Sequence, residues 1–174
     1  MQYGNIATTC FFCLLATPAV AEAPKIQTPT PVIYLADNLD EADSLGWCID
    51  TLGRGFAENL QVHSCKPQGG DVQFSYRADT SQIVSVEFEG KCMELIAPDD
   101  PKIAFGLRDC AQGQVMQQFI FDKGTGRITP VSMPESCVAA GSVSRAAGPF
   151  MSRDLIVSPC SSIPPELSTW IEDK

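Results

Sequence analysis

The stretches CIDTLGRGFAENLQVHSC (48–65), CMELIAPDDPKIAFGLRDC (92–110) and CVAAGSVSRAAGPFMSRDLIVSPC (137–160) decide how this chain is read. Their first cysteines, Cys48, Cys92 and Cys137, are 44 and 45 residues apart; their second, Cys65, Cys110 and Cys160, are 45 and 50 apart. An apolar residue stands three before each second cysteine (Val62, Leu107, Val157), and an aromatic follows nine or ten residues after it (Phe74, Phe119, Trp170). Leu39, Ile83 and Ile128 lie nine residues before the first cysteines. A spacing that recurs at this many positions marks three copies of one unit.

Each unit reads as four short strands. Val32–Leu35, Gln82–Val86 and Arg127–Val131 open the three units, and strands around Cys48, Cys92 and Cys137 follow. Leu60–His63, Ile103–Leu107 and Leu155–Val157 form the third set; Val72–Tyr76, Met116–Phe121 and Leu167–Ile171 form the fourth. Gly-, Asp- and Pro-bearing turns separate them, as at 68–71, 99–101 and 123–126. Leu39–Leu45 is the one short stretch with a local helical pattern. A single unit has an apolar side it cannot bury alone. Three around an axis share a core and leave no long open strand edge. The expected fold is therefore all-β, twelve strands in three four-strand repeats, with Phe74, Phe119 and Trp170 as equivalent core residues.

Six cysteines permit fifteen pairings, and the repeat selects Cys48–Cys65, Cys92–Cys110 and Cys137–Cys160. Each would close a loop within its own unit, contributing about 3 kcal/mol in the chain-entropy model. Two further cysteines, Cys10 and Cys13, fall in residues 1–21, which read as a cleaved export signal. That segment has no formal charge, an apolar run from Ile6 to Leu15, and an Ala19-Val20-Ala21 cleavage pattern. The run is too short to span a bilayer well. Residues 22–31 (EAPKIQTPTP) read as a stiff linker, and 32–174 as the folded domain. An even cysteine count after an export signal places the protein in the periplasm or outside the cell.

The 174 residues carry 12 Lys and Arg against 21 Asp and Glu, a formal net charge of −9. Phosphate backbones and anionic membrane surfaces are disfavoured partners for such a surface. One histidine in the whole chain excludes a site that needs two imidazoles, and the cysteine spacings outside 1–21 do not suit zinc. No metal or other cofactor is expected.

With the repeat in hand, the chain resembles the ricin-B-type lectins, β-trefoils built of three Q-x-W repeats. The resemblance rests on Cys48-Ile49-Asp50 with Leu60–Cys65, on Gly90–Glu94 with Gln117-Gln118-Phe119, and on Cys137-Val138-Ala139 with Ser168-Thr169-Trp170. Phe replaces Trp twice, and Val72 and Ser168 stand where Gln is usual. The resemblance implies one shallow sugar site per repeat. An acid two residues after the first cysteine binds vicinal hydroxyls, a ring two before the second stacks on the sugar, and a polar turn residue completes the set.

Carried onto this sequence, the first repeat offers Asp50, His63 and Asp71, with Gln61 beside them. The second offers Glu94, Arg108 and Met116, and the third only Ala139 and Ser158. One site is expected to remain, binding a glycan or small carbohydrate weakly. The alternative is that Asp50 ties down the turn after it, His63 is an ordinary strand residue, and the trefoil serves as a protein-interaction or adaptor subunit. Phe150 and Met151, in the longer third loop, are either an exposed apolar tip or part of the core cap. Gln117 and Gln118 read as partners of buried backbone groups. Asp40-Glu41 and Asp99-Asp100 read as solvated turns. No activated-nucleophile motif accompanies His63, so no enzyme activity is expected.

Overall fold

A computed structural model describes Met1 and residues 22–174, so the expected export signal, with Cys10 and Cys13, lies outside the described residues. Among the described residues, thirteen strands and two single-turn 3-10 helices make up the regular structure. In the first repeat the strands are β1 (Val32–Leu35), β2 (Trp47–Thr51), β3 (Leu60–Ser64) and β4 (Phe74–Arg77). The second has β5 (Gln82–Ser85), β6 (Lys91–Leu95), β7 (Phe105–Asp109) and β8 (Phe119–Asp122). The third has β9 (Arg127–Pro130), β10 (Ser136–Ala140), β11 (Arg145–Ala147), β12 (Phe150–Pro159) and β13 (Trp170–Asp173). Among the described residues no helix is long and apolar enough to cross a membrane.

The threefold relation is written in the strand registers. Antiparallel pairs β13–β1, β4–β5 and β8–β9 join successive repeats. In them Trp170 faces Leu35, Phe74 faces Ser85 and Phe119 faces Pro130. Two residues on, Glu172 faces Ile33, Tyr76 faces Ile83 and Phe121 faces Ile128. Hairpins β2–β3, β6–β7 and β10–β12 cap these pairs. Phe74, Phe119 and Trp170 are all buried in one core with Ile33, Ile83, Ile128, Val62 and Leu107. The arrangement is all-β and trefoil-like. Each repeat carries its expected disulfide, Cys48–Cys65, Cys92–Cys110 and Cys137–Cys160, with sequence separations of 17, 18 and 23.

The same registers correct one expected equivalence. Ile33, not Leu39, is the counterpart of Ile83 and Ile128, because Tyr34 pairs with Cys48 as Val84 pairs with Cys92. The loop between β1 and β2, residues 36–46, is longer than its counterparts 86–90 and 131–135. The extra residues put Leu39 into the loop, at a positive φ of 49°, with its N–H donated to Asp37 Oδ1. They form turns rather than a helix, because side chains take the backbone groups that a helix would use. Glu41 Oε2 accepts the N–H groups of Asp43 and Leu45, and Asn38 Oδ1 accepts that of Gly46. The expected solvated turn at Asp40-Glu41 holds for Asp40, which is exposed, and fails for Glu41. Glu41 is buried, and Asp40 pairs with the buried guanidinium of Arg153. Asp99 and Asp100 are exposed in a turn, as expected.

Two further differences matter. The fourth strands of the second and third repeats start later than expected, because 3-10 turns at Val115–Gln117 and Pro165–Leu167 precede them. Residues 22–31 are extended, as Pro and Thr dictate, and they lie against the domain. Lys25 N–H reaches Ser44 O, Thr28 Oγ1 reaches Lys66 O, Gln73 Nε2 reaches Pro29 O, and Ile26 packs on Val32, Val72 and the first disulfide.

Candidate functional site

The first-repeat hairpin supplies the floor of a cleft of about 640 Å³. Asp50 on β2 faces Gln61 on β3, and Cys48 faces His63, so the candidate residues are neighbours through strand pairing alone. Gln61 Nε2 donates to Thr51 O, which orients its amide along the floor. One rim is the loop 52–55, held by Thr51 Oγ1 on Gly55 O and by Gly55 N–H on Asp71 Oδ2. The opposite wall comes from the third repeat, from residues inserted into its longer loop. There β11 turns back through Gly148-Pro149 into β12, a two-residue hairpin whose first turn residue needs the positive φ of 67° seen at Gly148. The start of β12 then pairs with β3, Ser152 opposite His63 and Asp154 opposite Gln61. This puts the Phe150 ring edge-on to the His63 imidazole, 5.6 Å between centroids.

The two loop insertions hold each other in place. Arg153 stacks its guanidinium 4.7 Å over the Trp47 ring, donates to Gly141 O and pairs with Asp40, whose carboxyl also accepts from Ser144. Ser64 accepts the Met151 N–H and donates to Glu41 Oε1. The cleft wall is thus fastened to the loop 36–46, although the two segments are about a hundred residues apart in sequence.

Charge on the floor is organised around Lys66. Its Nζ lies 2.6 Å from Asp71 Oδ1 and 2.9 Å from Asp50 Oδ2. The second contact is an ion pair whose angle falls outside hydrogen-bond geometry, so Asp50 Oδ2 accepts no well-directed hydrogen bond. Asp50 Oδ1 accepts the Thr51 N–H. Asp50 is 0% exposed, and this burial pushes its carboxyl up to about 7 against the opposing pull of Lys66. His63 is also buried, which pushes its imidazole down, below its ordinary value. Its Nδ1 lies 3.0 Å from Ser64 O; a carbonyl only accepts, so Nδ1 carries the proton and Nε2 the free lone pair. The 3.8 Å gap between Nδ1 and Asp50 Oδ2 is then no ion pair.

Of the residues singled out by sequence, Gln61, His63 and Asp71 line the cleft. Asp50 lies beneath them, covered by Lys66, and does not face the opening. Lys66, Arg145 and Phe150 line it too and were not assigned to the site by sequence. Lys66 follows Cys65 directly, a position that carries no signal by itself. Phe150 was visible as an apolar tip, but only pairing of β12 with β3 brings it to His63. Met151 packs on the core. In the second repeat the polar groups are consumed internally. Gln117 Nε2 donates to Glu94 Oε2 and Asp109 O, its Oε1 accepts from Ala111 N–H and Gln82, and Arg108 donates to Glu58 O. In the third, Ala139 is buried.

No protein-family model matches the sequence, and no curated protein matches it either. Solved structures do match. One is a crystal structure of GalNAc-T7 with UDP, GalNAc and Mn2+, 17% identical, with a TM-score of 0.51. The match covers 73% of this chain and 20% of that one, so this chain spans about a fifth of the length of the protein it is similar to. At that identity, the likeness shows that the strands are arranged alike.

Proposed function

We propose that this chain is an exported carbohydrate-binding protein that acts by reversible binding at the first-repeat cleft. The observation that carries the reading is convergence. The His63 and Phe150 rings, the Gln61 amide, Asp71 and Lys66 meet in one concave site, and nothing comparable is built from the equivalent positions of the other repeats. Rings offer an apolar face to sugar C–H groups, and charged and amide groups offer directional bonds to hydroxyls. The likeness to part of a protein crystallised with GalNAc supports the same class of ligand. A single open site of this kind holds a monosaccharide near 1 mM, about −4 kcal/mol, so useful retention comes from clustered ligands. Binding rather than catalysis is proposed because the one imidazole spends its N–H on a backbone carbonyl, not on an acid that would orient it as a base. Three disulfides suit a site of action outside a reducing cytosol.

A glycan array probed with the oxidised protein tests this reading. Saturable binding to a saccharide set, weakened when Gln61 is replaced by Ala, is expected. One observation favours a second reading, a protein-interaction subunit: Leu52 exposes apolar surface on the cleft's own rim loop, and Phe56 exposes more just beyond that loop, beside Phe88. An array without signal, together with a partner recovered by crosslinking through that loop, would establish the second reading in place of the first.

A further inference from the structure

The charge of the cleft runs against that of the chain. A second cavity of about 350 Å³ shares Leu52, Gln61 and Arg145 with the first, so the two form a continuous groove. Four basic side chains line that groove, Arg54, Lys66, Lys102 and Arg145, against two acids, Asp71 and Asp154. Over the whole sequence the balance is the reverse, 12 basic residues to 21 acidic. Lys66 is held by Asp71 and Arg145 by Asp154, the latter at 2.7 Å. Arg54 and Lys102 have no acidic partner among the described residues.

Asp50, the carboxylate that a neutral sugar's paired hydroxyls would use, is sealed under Lys66. What the floor presents in its place is an ammonium, and an ammonium only donates. Lys66 is matched by Asp50 and Asp71, but Arg54 and Lys102 are donors without an acidic partner among the described residues, and these favour a ligand that brings its own negative charge. We infer that the groove takes an acidic glycan, one bearing carboxylate or sulfate groups, which pair with Arg54 at one end and Lys102 at the other. This inference rests on the carbohydrate-binding reading above. Arg54 lines the first cavity and Lys102 the second, so an oligosaccharide with repeated acidic groups engages both. The chain's net negative charge does not forbid this. At physiological salt the screening length is about 8 Å, which mutes remote acids and leaves contact pairs largely intact.

An array carrying each oligosaccharide backbone in neutral, uronate and sulfated forms, followed by calorimetric titration of the oxidised protein, decides the matter. The acidic forms are expected to bind at least about 5-fold tighter than their neutral parent, with an advantage that shrinks as salt rises. Arg54→Gln and Lys102→Gln each narrow the acidic-to-neutral ratio, by roughly 2- to 5-fold per lost charge pair. A preference for uronate over sulfate, or the reverse, identifies the recognised group and supports the inference either way. Neutral forms that bind as well as acidic ones overturn it and leave the carbohydrate reading standing. No binding to any form overturns both.

Discussion

Replacing Asp50 by Asn tests the electrostatics of the floor. Its carboxyl titrates near 3.8 in the unfolded chain and near 7 in the folded one, because burial disfavours the charged form more than Lys66 favours it. Between those pH values the folded protein holds a proton that the unfolded chain has released. Stability contributed by this group is therefore greatest in acid, falls as pH rises from about 4 to about 7, and is level above that. Each pH unit inside the window costs about 1.4 kcal/mol, so the full span costs about 4 kcal/mol. Asp50→Asn keeps an oxygen for the Thr51 N–H and does not titrate. The variant should match the parent near pH 4 and exceed it by about 4 kcal/mol at neutral pH and above. For a domain of this size that is a melting midpoint roughly 8–16 °C higher. Urea unfolding of both proteins across this range reads the gap directly. His63, whose depressed titration opposes this trend in acid, is present in both and cancels in the difference. A gap independent of pH, or one that widens in the parent's favour as pH rises, would refute the reasoning: Lys66 would then hold Asp50 charged.

Trp170→Phe should fit without strain, because Phe74 and Phe119 occupy the same register, but it leaves Val138 O without its indole donor. A loss of about 1–3 kcal/mol in urea unfolding is expected. Gly46→Ala meets both a positive φ of 81° and Pro24 Cβ at 2.6 Å from the new methyl. It should cost more than about 1 kcal/mol and make residues 22–31 newly sensitive to limited proteolysis. Phe150→Ala removes the ring against His63 and should lower affinity for an array-identified glycan by roughly 3- to 10-fold in titration, with the unfolding midpoint nearly unchanged.

What could be read from the chain alone divides along a physical line. Strand positions, sulfur pairing and the three core aromatics follow from the repeat, since each is local to one unit. The loop 36–46 escaped because distances counted back from Cys48 matched Leu39 to Ile83 by coincidence. Only the pairing of Tyr34 with Cys48 shows that six residues had been inserted. Asp50, Gln61, His63 and Asp71 are gathered by the resemblance to the lectin repeats, and one hairpin with its following turn brings them together. The burial of Asp50 could not be read this way, since it depends on Lys66, from beyond the hairpin, lying over it. Glu41 is likewise an acid in a polar stretch whose burial follows from Ser64 and the turn it caps.

The disulfides are each local to one repeat, whereas β1 pairs with β13, almost the whole domain away. A chain that emerges residue by residue can oxidise each lobe as it appears, and a short loop closes at little entropic cost. The seam between β1 and β13 must wait until β13 has emerged. Until then the edge of β1 that β13 takes stands unpaired, while residues 22–31 already dock on other parts of the first lobe, at Ser44, Lys66 and Gln73.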